Sequence, residues 1–171
     1  MVKLGIWAIA PLMFAIPAQA QTYSPELLKK SVTLEDLQAV VASLDHEVLE
    51  VNEDENLVVG QDADGAAYFL FGTACNVGGV PGCQGINMQI RYRLAPEVTY
   101  ESVAEANYDQ AAVQTWVDFE EKVLGVTRYQ VLDYGATMAN IRENVRVLLD
   151  VAPVSAAVAA GINPEQEQKS L

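Results

Sequence analysis

Across residues 85–94 the chain keeps a strict two-residue rhythm. Ile86, Met88, Ile90, Tyr92 and Leu94 fall on one side, and Asn87, Gln89, Arg91 and Arg93 on the other. Only the period of an extended strand separates those two sets, so the segment predicts a sheet strand with one covered and one wetter face. Residues 66–72, with Tyr68, Phe69, Leu70 and Phe71, predict a second strong strand. Residues 47–51, and a run beginning with Leu57, Val58 and Val59, predict two more; the charged turn 52–56 divides them and the Asp/Gly turn 62–65 follows. Residues 113–119 and 123–132 predict a last pair, joined around Glu121 and Lys122. Val113, Thr115, Val117 and Phe119 share a face there, and Trp116 lies opposite, where it would cover a helix or a partner.

Helical spacing appears at both ends. Leu34, Leu37, Val40, Val41 and Leu44 recur at three and four residues, with Thr33 and Asp36 as a capping pair. Thr137 is a good N-cap for a longer helix whose stripe is Met138, Ile141, Val145, Leu148 or Leu149, and Ala152. Pro153 is expected to interrupt or kink that helix, with a weak continuation to Gly161. Thr99 caps a short helix through about Asn107, and Ser24-Pro25 reads as the cap and first helical residue of a short turn through Leu28. A lone helix at either end must bury its stripe on the sheet. The order therefore implies an α+β two-layer sandwich, a single antiparallel sheet covered by the N- and C-terminal helices. One domain is expected over residues 21–161, followed by a polar tail, 162–171, expected to be disordered.

The first twenty residues do not belong to that pattern. Lys3 precedes an apolar run over residues 4–16, and Ala18-Gln19-Ala20 gives a small-x-small cleavage site, so 1–20 reads as a secretory signal peptide with Gln21 as the new N-terminus. Pro11 and Pro17 break the run below the length of a membrane span. The expected location is the periplasm of a Gram-negative bacterium, or outside the cell, with no membrane insertion after cleavage. The 171-residue chain has 23 acidic and 10 basic residues, a formal charge of −13. Loss of Lys3 with the leader takes this to −14. A chain so charged is repelled by nucleic-acid phosphates and anionic lipid surfaces, which argues against both as partners. No basic residue lies between Lys30 and Arg91, a stretch with ten acids that reads as a solvated surface, with a basic partner or a cation as the alternative.

Cys75 and Cys83 are the two cysteines, flanking a Gly-rich, turn-forming loop. An even count in an exported chain reads as a disulfide, and a seven-residue gap is too wide for a thioredoxin-like redox pair. No cofactor or metal is expected. His46 stands alone at the end of the first helix, where a helix C-terminus accounts for it without catalysis. Asp62 and Asp64 echo the start of a calcium loop, but the twelfth position is Thr73 rather than Glu. Asp118, Glu120 and Asp133 are the carboxylates that an acid–base hydrolase would draw on. No phosphate loop or dinucleotide fingerprint occurs.

Four features together resemble the YbjN family, described as bacterial sensory transduction regulators, whose fold is similar to that of type III secretion chaperones. They are Cys75 closing an aromatic strand, Cys83-Gln84-Gly85-Ile86 opening the alternating strand, Trp116-Val117-Asp118 in the next hairpin, and Gly135-Ala136-Thr137 before the final helix. The resemblance covers about residues 34–151. One departure is the middle helix, where Asn107 is kept but Ala104 and Ala106 stand in place of another Asn and a Trp. The resemblance implies a small regulatory or chaperone-like domain that works by contact, often as a dimer, and carries over no catalytic residue. The expected function is thus a non-enzymatic, exported protein-interaction domain, with a protein partner or self-association as a homodimer. Tyr92, Trp116, Tyr129 and Asn107 are the candidate contact residues. The alternative is a small-molecule-binding or carboxylate-based hydrolytic protein of the cell envelope.

Overall fold

The computed structural model describes residues 23–162; the expected leader and residues 163–171 of the expected tail lie outside the described residues. Along the chain run β1 (Leu28–Lys29), α1 (Leu34–Ser43), β2 (Glu47–Asn52), β3 (Leu57–Gln61), β4 (Ala67–Cys75), β5 (Cys83–Arg93), α2 (Tyr100–Asp109), β6 (Gln114–Asp118), β7 (Val123–Val131), β8 (Ala136–Thr137) and α3 (Met138–Ala159). Six strands form one antiparallel sheet in the order β2-β3-β4-β5-β7-β6, and β1 pairs with β8 as a small separate clasp. The α+β sandwich expected from the pattern is the observed architecture.

Strand β5 is central because it pairs along most of its length with β4 and with β7. Its apolar set does what the alternation requires: Ile86, Met88 and Ile90 are buried, alongside Tyr68 and Leu70 of β4 and Val126 of β7. Leu37, Val40 and Val41 of α1, and Ile141, Val145 and Leu148 of α3, close over them from one side. The expectation of two covering helices needs a correction. α2 also lies on this face, where Val103 and Ala106 meet Leu124 and Ala159 in a smaller cluster beside the main core.

Capping follows the sequence at all three helices. Thr33 accepts from the Asp36 N–H while Asp36 accepts from the Thr33 N–H, a reciprocal box that satisfies two donors at the start of α1. Thr99 with Ser102 repeats the arrangement at α2, and Thr137 accepts from Asn140 at α3. Pro153 does not interrupt α3, which continues to Ala159 and loses there one donor to the Leu149 carbonyl.

Polar groups fix how α3 sits. On the covered face, Gln130 donates to Asn140 at 2.7 Å, Arg128 donates to Asn144 at 2.6 Å, and the Thr115 and Ser155 hydroxyls share a buried hydrogen bond of 2.6 Å. These three bonds join one side of the helix to β7 and β6, so rotation or sliding of α3 would strand buried polar atoms.

The Ser24-Pro25 reading is also corrected: Pro25 and Glu26 form a turn, and the next residues are extended. This segment straps the sandwich. Its Leu27 and Pro25 carbonyls accept from the Met138 and Ala139 N–H groups, which a helix start would otherwise leave unpaired. Lys29 reaches the buried Asp36 carboxylate at 2.7 Å, and Val32 exchanges two backbone hydrogen bonds with Cys83.

The edges of the sheet are treated differently. β2 carries a bulge between Val48 and Glu50 and the exposed acids Glu47 and Glu50, which discourage strand addition. At β6, the Asn107 carboxamide from α2 accepts from the Thr115 N–H at 2.7 Å and donates to its carbonyl at 2.9 Å, occupying the outer edge.

Two stability outcomes follow. Ser155→Ala leaves the Thr115 hydroxyl buried and unpaired, so urea unfolding should show a loss of about 1–3 kcal/mol, part of which Thr115→Val in the same chain restores. Cys75 and Cys83 face each other across the β4–β5 hairpin and are joined. Replacing both by Ser should cost roughly 2.5 kcal/mol, from the entropy of so short a closed loop.

Candidate functional site

With every helix on one side, the opposite face of the sheet has no covering element among the described residues. Cross-strand register places three rows there: Val59, Phe69, Gln89 and Thr127; Leu57, Phe71, Asn87 and Tyr129; and Arg91, Gly125 and Trp116. The same alternation that sends Tyr68 and Leu70 inward sends Phe69 and Phe71 outward.

The side chains of this face are held in place by one another. Phe69 and Phe71 stack with ring centroids 6.3 Å apart, and the Arg91 guanidinium lies 4.9 Å from the Phe69 centroid and 5.9 Å from that of Phe71. Gln89 Oε1 accepts from Arg91 Nε and Nη2 at 3.2 and 3.0 Å, which orients the guanidinium over the rings. Trp116 lies directly across Gly125, where any side chain would meet the indole, and its Nε1 donates to Thr127 at 2.8 Å. Tyr129, paired with Asn87, reaches diagonally over Gly85, its hydroxyl 2.9 Å from that of Thr73. Arg91 and Arg93 are exposed, and among the described residues neither has a carboxylate within ion-pair distance. An ordered guanidinium on an aromatic platform is suited to a carboxylate in an apolar setting.

The four candidate contact residues therefore divide. Trp116 and Tyr129 belong to the open face. Tyr92 does not: it shares the buried side of β5, packs against both core clusters, and burial pushes its phenol up to about 12. Asn107 is engaged with the Thr115 backbone and is structural. The residue reading missed Phe69, Phe71 and Arg91 as a group, although large aromatics on the wetter side of an alternating strand were a visible signal.

The acidic candidates do not converge. Asp118 caps the β6–β7 turn by accepting from the Glu120 and Glu121 N–H groups, both at 2.9 Å. Asp133 lies beyond the far end of β7, roughly 30 Å away at strand rise. Asp62 Oδ1 is engaged by the Asp64 and Ala66 N–H groups, which makes its loop an ordinary turn. Among the described residues no cluster of three or more His, Cys, Asp or Glu side chains could hold a metal. His46 has a packing role: its Nδ1 lies 3.1 Å from the hydroxyl of the buried Tyr68.

A cleft of about 350 Å³ also opens beside the disulfide, between the start of α1 and the β4–β5 hairpin. Glu35 and Glu53 line it, together with Leu34, Leu37 and Gly72. Hydrogen bonding to Thr33 holds the Glu35 carboxyl below its ordinary range.

Sequence and fold comparisons agree with this architecture. The profile of the YbjN family, described as "Putative bacterial sensory transduction regulator", matches residues 33–152, and the chain belongs to that family. The fold is similar to the crystal structure of YbjN from E. coli, with a TM-score of 0.55 and 13% identity over 75% of this chain and 90% of that one. A chain of the HopA1–SchA chaperone–effector complex gives a TM-score of 0.47 and 9% identity over 70% of this chain and 93% of that one. No curated protein matches the sequence.

Burial gives the core a pH signature. Tyr68 and Tyr92 are both held above the ordinary phenol range, Tyr68 by burial and by the Asp62 charge. The native state therefore keeps protons that the unfolded chain releases near pH 10, and stability must fall as pH rises above that value. An ultraviolet titration should show a late phenol component that Tyr92→Phe reduces, and that variant should flatten the alkaline loss of stability.

Proposed function

We propose that this protein is an exported, non-enzymatic regulatory or chaperone-like domain that binds a protein partner on the open face of its sheet. The observation that carries the reading is the ordered Arg91 guanidinium on the Phe69–Phe71 pair, flanked by Trp116 and Tyr129. In a chain of net charge −13, exposed cations without a carboxylate stand out on this face. Their complement is a protein segment that sets a carboxylate among apolar side chains, because the guanidinium can bind the carboxylate while the rings bury its neighbours. Family membership supports a regulatory role, and the leader pattern with the disulfide supports export to a periplasm.

Two measurements test the proposal. A photo-crosslinking residue at Thr127 should trap a protein in intact cells, and Arg91→Glu should abolish the adduct. The same residue at the exposed Glu105 of α2 should trap little. Equal yields from both faces, or an adduct indifferent to Arg91, would remove the open face from the account. Mass analysis of protein from its native host should find Gln21 at the N-terminus in the periplasmic fraction; a cytosolic chain retaining residues 1–20 would overturn export.

A further inference from the structure

The open face ends in two cations. Arg91 and Arg93 are exposed on β5 and, being two residues apart, project to the same side at a spacing of roughly 7 Å. Gln89 holds the Nε and Nη2 edge of Arg91, which leaves the Nη1 end for a further acceptor. Asp118 shares the row of Arg93 across Val123, but its Oδ1 is engaged by the Glu120 and Glu121 N–H groups and it forms no ion pair among the described residues. Outside the described residues, acids are confined to one segment. Residues 1–22 contain none, whereas residues 163–171 contain Glu165 and Glu167. These acids are also two residues apart, so an extended chain sets them on one side at the spacing of the two arginines. α3 brings that segment to the matching end of the sheet. Asn140 meets Gln130, Asn144 meets Arg128, and Ala159 packs with Leu124, so the helix runs antiparallel to β7 and ends over the row next to Arg93 and Val123. There Gly161, at φ +74°, closes the helix, and Pro164 keeps the following chain from resuming it. From Ile162 to Glu167 an extended backbone spans roughly 17 Å, against a spacing of about 10 Å between packed layers.

We infer that residues 163–171 dock on the open face of their own chain, with Glu165 paired to Arg93 and Glu167 to Arg91. The order follows from the direction of approach. A chain rounding the sheet from the end of α3 meets Arg93 first and Arg91 next, so it runs antiparallel to β5. Glu167 accepts from the free Nη1 end of Arg91, and its methylenes lie against the rings of Phe69 and Phe71. Each pair is exposed and weak alone. The short tether supplies an effective concentration in the millimolar range, which lets two weak pairs hold together. Such a cover yields to a partner whose apolar side chains fill the platform better. In this respect the inference rests on the open face being the partner site proposed above: the tail is the occupant that a partner must displace. The contact itself exists in the isolated chain.

A photo-crosslinking residue at Gln166, between the two acids, tests the contact in the purified mature chain at low concentration. Peptide mapping should place the crosslink within the same chain, on β4 or β5 near Phe69, Phe71 and residues 89–93. Arg91→Glu with Arg93→Glu should lose most of it, and adding Glu165→Arg with Glu167→Arg to that chain should restore it. A crosslink that falls elsewhere, passes between chains, or is indifferent to the arginines would overturn the docking. In intact cells, Glu165→Gln with Glu167→Gln should raise the yield of the partner adduct from Thr127; a yield indifferent to these acids would overturn the competition. A mapped Gln166 contact in a chain whose Thr127 traps nothing would support the docking and remove the partner reading, so the two fail separately.

Discussion

The rest of the structure depends on the seating of α3. Its apolar stripe supplies much of the cover for β5 and β7, but apolar contact alone leaves a helix free to slide or turn. The bonds from Thr115, Arg128 and Gln130 remove that freedom, because each is satisfied at one position of the helix. With α3 fixed, its first turn holds the carbonyls of the N-terminal strap, and its last turns form the wall against which α2 packs. α2 in turn delivers Asn107 to the edge of β6. Loss of the polar seating would therefore loosen both ends of the molecule.

Crowding α1, α2 and α3 onto one side has a cost that the other side must meet. The open face keeps aromatic rings in contact with water, and it limits their mobility by setting Trp116 and Tyr129 over glycines and Arg91 over Phe69. Such bracing reduces the side-chain entropy that binding must remove, so the face is prepared for contact before a partner arrives. Its rings lie on strands rather than loops, and their spacing is that of the sheet.

Much of the fold was legible because its signals are local. Alternation in β5 set the two faces, the Thr33 and Thr137 caps set two helix starts, and the paired cysteines lay at the two ends of one hairpin. What could not be read depends on register between distant segments. Asn107 looks like any polar residue of a short helix until the α2–β6 loop brings it to Thr115. The strap escaped notice because two-residue strands carry no period. Tyr92 is a different case. Its place among Ile86, Met88 and Ile90 already assigned it to the interior, and reasoning from residue type overrode what the alternation stated.

The strap also constrains how the chain acquires its fold. Pro25 and Leu27 bond to Ala139 and Met138, and Leu28 pairs with Thr137, so some of the earliest residues of the domain close against its last helix. Contacts between segments so far apart in sequence raise the entropy of loop closure and slow folding. A ribosome-bound chain lacking α3 has no partner for the Pro25, Leu27 and Leu28 contacts of this segment. The native clasp can therefore form only after the whole domain has been synthesised.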